Sequence, residues 1–438
     1  VNGINPNAVP PARVVAPYLV AAPLGLAMAG VALLTAPEGT LDGPSTPALL
    51  AATHGIVLGW LTMSIMGATL QLTTSVLGGR PPAVSLAMSA FVLYATGVAL
   101  LVGAFADWRL PLLAAGGGLA VAGLACYLAA AARPLWTARP VSPELTSLRL
   151  AHLCLGATVA LGLTWALALR FGWFAVTPAL VAAHAHLGII GWLAIAITGV
   201  TYRLLPMFGI VRGVTPRFAR QLPGALAAMA VVACAVYPLD PPPLARAGLE
   251  AVLAALGGVW LADAVRLYRG RLRRKPDLYS RATAGSFLFL GAALAATPLA
   301  AAWPADAPPG AHRIVTAAGV LVLGGWAGMT LVANSYKIVP FIAWYHRFSA
   351  RAGHESVPGT AELYSRHIAH AVLILVAIGT ITGAGAALSG ALPALRAAGA
   401  ACTVAGLFAT ASLAGTFVVR PVPGRGPGPR PAAHTAGT

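Results

Sequence analysis

One apolar stretch recurs along this chain, and the recurrence limits the fold to a few like units set side by side. From His186 to Leu204 the sequence reads HLGIIGWLAIAITGVTYRL. From His54 to Leu72 it reads HGIVLGWLTMSIMGATLQL, in step without a gap at an offset of 132 residues. A third copy is partial. Gly325-Trp326 and Tyr336-Lys337-Ile338-Val339-Pro340 match Gly191-Trp192 and Tyr202-Arg203-Leu204-Leu205-Pro206 at an offset of 134, with Val320 in place of the histidine.

Of the 438 residues, 58% are hydrophobic and only 9% are charged. A soluble domain carries about 25% charged residues, so the chain reads as an all-α polytopic membrane protein. Segments of about 20 apolar residues cross a bilayer. On that rule twelve spans are expected, at roughly 16–35, 47–72, 84–105, 111–131, 148–169, 177–205, 223–240, 247–267, 284–304, 312–340, 366–388 and 393–419. The repeat falls on the second, sixth and tenth, so four spans separate successive copies. Residues 1–419 then form one transmembrane domain of three four-helix units (about 16–131, 148–267 and 284–419) around a pseudo-threefold axis. Residues 420–438, rich in Pro, Gly and Ala, are expected to be a disordered cytoplasmic tail. The first apolar segment lacks a basic n-region and cleavage site, and is expected to be a retained span.

The net charge of +17 could suggest nucleic acid, but the basic residues collect on one side of the expected bundle. The other side holds only Arg109, Arg170, Arg246, Arg313 and Arg396. By the positive-inside rule both termini are cytoplasmic, which suits a bacterial-type inner (plasma) membrane. The run from Arg266 to Lys275 becomes an anchor on anionic lipid, and no nucleic-acid partner is expected. The four cysteines stand singly, without CxxC, so neither a disulfide framework nor a thiolate metal site is indicated.

A histidine in hydrocarbon needs a polar partner or a ligand. His54 and His186 share one repeat position and one depth, in the outer half of the membrane. Facing each other across a unit boundary, they would suit bis-imidazole ligation of a haem b. Gly55, Gly59, Gly188 and Gly191 would admit the macrocycle, and Trp60 and Trp192 would wall it. His184 and His186, two residues apart on a helix, point roughly 200° apart. His184 would therefore serve a second haem, a copper or a structural hydrogen bond. His367 and His370, near Tyr364 and Arg366, read as an interfacial polar cluster or a metal or quinone-head site. His346 reads as part of an interfacial belt and His152 as locally bonded. Arg203 and Lys337, at one repeat position, are expected to snorkel.

Ala183-His184-Ala185-His186, Ala196-Ile197-Thr198-Gly199 and Pro206-Met207-Phe208 resemble the HxH helix of the haem-copper oxidase catalytic subunit. Thr53-His54-Gly55 resembles that family's second helix. The resemblance implies twelve spans in three arcs, a low-spin haem on His54 and His186, and a second haem on His184. The family carries HxH on its tenth span, where this chain has Ala318 and Val320. Its copper-ligand motifs, a His-x-x-x-Tyr and a His-His pair, are missing. No carboxylate is expected at mid-membrane, since Glu250 falls near the outer end of its span and Asp263 near the inner end. The expected function is that of a b-type haem protein, in electron transfer or in redox chemistry of a small diatomic or nitrogen oxide. Oxygen reductase activity is not expected. The electron donor would be a cytochrome c, a cupredoxin or a quinol. The alternative is a non-redox transporter or sensor with a histidine-lined path between the units.

Overall fold

A computed structural model describes residues 9–273, 275–302 and 310–418. Among them twelve helices are long and apolar enough to cross a membrane. They are α1 (Ala12–Leu34), α2 (Pro47–Ser75), α3 (Val84–Ala106), α4 (Leu110–Thr137), α5 (Pro143–Phe171) and α6 (Pro178–Gly209). The second half holds α7 (Leu222–Leu239), α8 (Pro243–Arg269), α9 (Leu278–Ala302), α10 (Gly310–Phe348), α11 (Arg366–Ser389) and α12 (Leu392–Gly415). The protein is an all-α polytopic membrane protein. The expected tail, 420–438, lies outside the described residues.

Several helices outrun the apolar segments that announce them. α4 continues past Arg133 to Thr137, α5 starts at Pro143, and α10 runs to Phe348. The backbone ladder does not stop where hydrocarbon does, so a helix goes on until a cap ends it. Ser142 accepts from the Leu145 N–H at the start of α5, and Ser365 accepts from the Ile368 N–H at the start of α11.

Short connections make successive helices antiparallel. The end of the bundle where α1 begins is here called the basic face, because most arginines lie there. The other end is the far face. α2, α6 and α10 all run from the far face to the basic face and meet at the centre. Trp192 on α6 donates through Nε1 to Thr62 Oγ1 on α2 at 2.8 Å. Trp60 on α2 packs against Gly328 on α10, where a Cβ would stand 2.6 Å from its ring. Thr62 and Gly328 are repeat-equivalent, so each tryptophan reaches the next long helix at one register. The third tryptophan, Trp326, meets Trp260 on α8 at 5.7 Å between ring centroids.

The three long helices share an irregularity. Each widens into π-helical turns over Gly55–Thr62, Leu187–Ala194 and Leu321–Gly328. These segments begin directly after His54, His186 and Val320. Extended π segments are rare and collect at functional sites. Within each, the glycine of the Gly-Trp pair lets the helix close on the first helix of its own unit. A Cβ on Gly59 would lie 2.8 Å from the Gly25 Cα on α1. On Gly191 it would lie 2.9 Å from the Cys154 Cβ on α5, and on Gly325 2.4 Å from the Phe289 ring on α9.

A repeated ion pair ties the basic ends together. Lys337 Nζ lies 2.8 Å from Asp277 Oδ2, just before α9, and Arg203 Nε lies 4.0 Å from Glu144 Oε1, at the start of α5. The acids sit at corresponding places in their units. Instead of only reaching out to solvent, both cations meet an acid at the partly exposed basic end. The first unit has Gln71 at this position and no such pair.

Candidate functional site

His54 and His186 each sit two turns or more inside their helices, roughly 12 Å from the far-face end at 1.5 Å per residue. Thr177 caps α6 by accepting from the Leu180 N–H, and Pro178 takes the first turn, where its missing donor costs nothing. Both histidines are fixed alike. His54 donates from Nδ1 to the Leu50 carbonyl one turn back, at 2.8 Å. His186 does the same to Ala182, also at 2.8 Å.

The resemblance extends to a neighbouring helix. Phe105, on α3, stacks on His54 at 4.5 Å and 28°. Tyr237, on α7, stacks on His186 at 4.5 Å and 26°. Phe105 and Tyr237 are 132 residues apart, as the histidines are. The first and second units thus each build an imidazole lying flat on an aromatic ring.

Beyond that the two units differ. His186 Nε2 meets Glu250 Oε1 on α8 at 2.7 Å. The Tyr237 hydroxyl donates to the same carboxylate oxygen. Glu250 is only 5% exposed, so a carboxyl, an imidazole and a phenol are joined inside the membrane-spanning part. With Nδ1–H given to Ala182, Nε2 meets Glu250 either as the donor of an imidazolium or as the acceptor from a carboxylic acid. In the first unit Gly118 stands 132 residues before Glu250, and Phe105 has no hydroxyl. His54 Nε2 is left without the acid that His186 has.

His184 faces the other way, against α5. Trp165 meets its ring edge-on at 5.0 Å. A Cβ on Gly162 would stand 3.0 Å from its Cε1, so a glycine is what lets the ring lie there. The Thr158 carbonyl faces it and His54 lies within electrostatic reach. Its buried Nδ1 nevertheless has no aligned hydrogen-bond partner among the described residues. His54 thus packs with α3, His184 with α5, and His186 with α7 and α8.

Trp60 and Trp192 are both almost wholly buried and belong to the central contacts described above. His152 is bonded locally, Nδ1 to the Leu148 carbonyl at 2.6 Å, and also meets the Tyr127 hydroxyl at 2.9 Å through Nε2. His370 bonds to the Arg366 carbonyl on an exposed surface, and His346 reaches the Pro10 carbonyl. His312, near the start of α10, has its Nε2 buried without a hydrogen-bond partner among the described residues. Among the described residues no three or more of His, Cys, Asp and Glu gather in a way that could hold a bare metal ion. The four cysteines are free.

Sequence reasoning missed Phe105, Tyr237 and the link from Glu250 to His186. A signal existed for the rings: carried past the long helices, the 132-residue offset pairs Phe105 with Tyr237. Comparison with protein-family models finds no match, and comparison with curated proteins finds none.

Proposed function

We propose that this protein is an integral membrane b-type haem protein of haem-copper oxidase-like architecture, with the iron held between His54 and His184 on the far-face side. The observation that carries the reading is the state of these two rings. His54 has Nδ1–H tied to a backbone carbonyl, which leaves Nε2 as a lone-pair donor, the arrangement typical of a ligating histidine. His184 is a buried imidazole with an unsatisfied ring nitrogen in electrostatic reach of His54. An unsatisfied polar group in hydrocarbon is costly, and a ligand removes that cost. The sequence-based pairing of His54 with His186 has less support, since His186 Nε2 is engaged by Glu250.

A haem held by these residues would supply one-electron transfer, its potential tuned by the histidines and their surroundings. Phe105 and Trp165 hold the imidazole planes by stacking and edge contact. The Glu250, His186 and Tyr237 group stands on the next face of α6, where it can hold a proton near the site. The concentration of basic residues at the opposite face supports cytoplasmic termini in a bacterial-type plasma membrane, and with them chemistry toward the outer side. Lipid surrounds the bundle, and a cytochrome c, cupredoxin or quinol would be the electron donor.

The test is the visible spectrum and haem content of the purified protein. A low-spin Soret band is expected, lost in His54→Ala and in His184→Ala and retained in His186→Ala. A wild type without haem, or one whose haem survives His54→Ala unchanged, overturns the proposal. A second reading, a non-redox transporter or sensor, is favoured by one observation, the buried His186–Glu250 pair. Intramembrane ionisable pairs mark ion and proton pathways. That reading expects no Soret band and a strong effect of Glu250→Gln on pH-driven transport in liposomes.

A further inference from the structure

Where α4 packs on α5, the bundle encloses a phenol and an imidazole that the haem reading leaves unused. The Tyr127 hydroxyl meets His152 Nε2 at 2.9 Å, and both residues are buried. Nδ1 of the same imidazole lies 2.6 Å from the Leu148 carbonyl oxygen. A carbonyl only accepts, so Nδ1 carries the proton. His186 has a carboxylate as its ion-pair partner, and His152 has none among the described residues. An unpaired imidazolium inside the bundle would be costly. The ring is therefore neutral, its Nε2 is a base, and Tyr127 donates to it.

Packing alone does not ask for this pair. Where α8 packs on α9, the matching step between the next two units, Trp260 meets Phe287 at 5.9 Å and Trp326 at 5.7 Å between ring centroids. Rings without a base fill that place. Two nearby buried phenols lack a base as well. Tyr18 donates to the Ala87 carbonyl at 2.6 Å, and Tyr94 to the Leu58 carbonyl at 3.1 Å. A peptide carbonyl cannot keep a proton, whereas histidine at about 2.6–3.2 Å is the commonest partner in proton transfer. Tyr237 does meet a carboxylate, but His186 engages the same oxygen. Tyr127 thus has a base of its own. It also has aromatic company on both sides. Tyr18 lies 6.3 Å from its ring, and beyond the imidazole Trp192 stands edge-on to His152 at 5.2 Å.

We infer that Tyr127 is a redox-active tyrosine, which yields one electron to a one-electron oxidant and its phenolic proton to His152 Nε2. The O–H bond breaks and an N–H bond forms along the contact already made. The products are a neutral phenoxyl radical and an imidazolium, and the electron goes to the oxidant. On re-reduction the electron returns and the proton goes back to the phenolic oxygen, so the cycle needs no water. Without the base, oxidation would leave a buried cationic phenol, which its surroundings disfavour. The inference does not depend on haem, because neither residue is a proposed ligand and an external oxidant can take the electron.

The experiment is flash photo-oxidation of the full-length protein in nanodiscs by ruthenium tris-bipyridine with persulfate. The samples are then frozen for high-field electron paramagnetic resonance. Protein grown on ring-deuterated tyrosine identifies a signal as tyrosyl. The wild type is expected to show a tyrosyl radical with the lowered gx of a hydrogen-bonded phenoxyl. That component should be absent from Tyr127→Phe and retained in Tyr18→Phe. His152→Gln keeps an acceptor for the hydroxyl but no base, and should lower the yield at least tenfold. Thermal melting checks that each variant is folded, and the gx of the wild type needs no variant. No tyrosyl signal, a gx free of hydrogen bonding, the same component in Tyr127→Phe, or an undiminished yield in His152→Gln overturns the inference. Haem content measured on the same samples keeps this outcome separate from that of the haem proposal.

Discussion

Whether an intramembrane histidine can serve as a ligand here turns on what meets its Nε2. His54 and His186 share helix position, backbone bond and stacking ring, and they diverge because Glu250 in one unit is matched by Gly118 in the other. The shared part was legible in the sequence as a repeat. The divergent part was not, because Glu250 meets His186 only once α8 packs against α6. Lys337 is similar: its register was readable, and its partner Asp277 was not. That pair gives a prediction outside the spans. Burial opposes ionisation of Asp277, but Lys337 and the Ser280 N–H outweigh it and hold the carboxyl down at about 2. A depressed value means that the stabilisation is present above the ordinary carboxylate value of about 3.9 and is lost as pH falls through about 2. Asn at this position keeps the cap on Ser280 but removes the charge. Asp277→Asn should lower the melting temperature by up to about 2–4 °C at pH 6, as suits a partly exposed pair. The gap between wild type and variant should close near pH 2, and a gap independent of pH would refute the assignment.

At the scale of the helix, apolar length located all twelve spans, because hydrocarbon thickness sets that length directly. It placed helix ends less well, since capping and backbone bonding set those. The π-helical turns were invisible to it: all three copies have the same residue spacing, so comparing them shows no insertion. The Gly-Trp pairs were legible as a motif, and the structure supplies the reason for the glycine. Gly59→Val would drive a side chain into the backbone of α1, with Gly25 Cα only 2.8 Å from the new Cβ. Overpacking of this kind costs about 1–3 kcal/mol, and the melting temperature in detergent should fall by several degrees. Gly103→Ala, with nothing within 4 Å of its Cβ, should leave melting unchanged or slightly raised. Equal melting of the two variants would show that the α1–α2 closeness is not needed.

For the whole molecule, the distribution of Lys and Arg was readable at once, and it carries a topology prediction. Reporter fusions after residue 42 should report the outside and those after residue 276 the cytoplasm; the reverse for residue 276 would break the alternation of the spans. Less was readable about which units touch. That Trp192 bonds to Thr62 follows from how the units close on one another, and no local pattern encodes it. Closure also separates two kinds of redundancy. Each long helix is wedged between the other two, so a fault in one Gly-Trp register strains two boundaries at once, and the chain's three copies of its frame give it no spare. The imidazole-on-ring pair is written twice and used differently each time. Losing one leaves the other whole, and the unit that begins its wide turns after Val320 supplies walls alone. Frame and imidazole surroundings are thus fixed by different things, the first by its neighbours and the second by what each face of α6 meets.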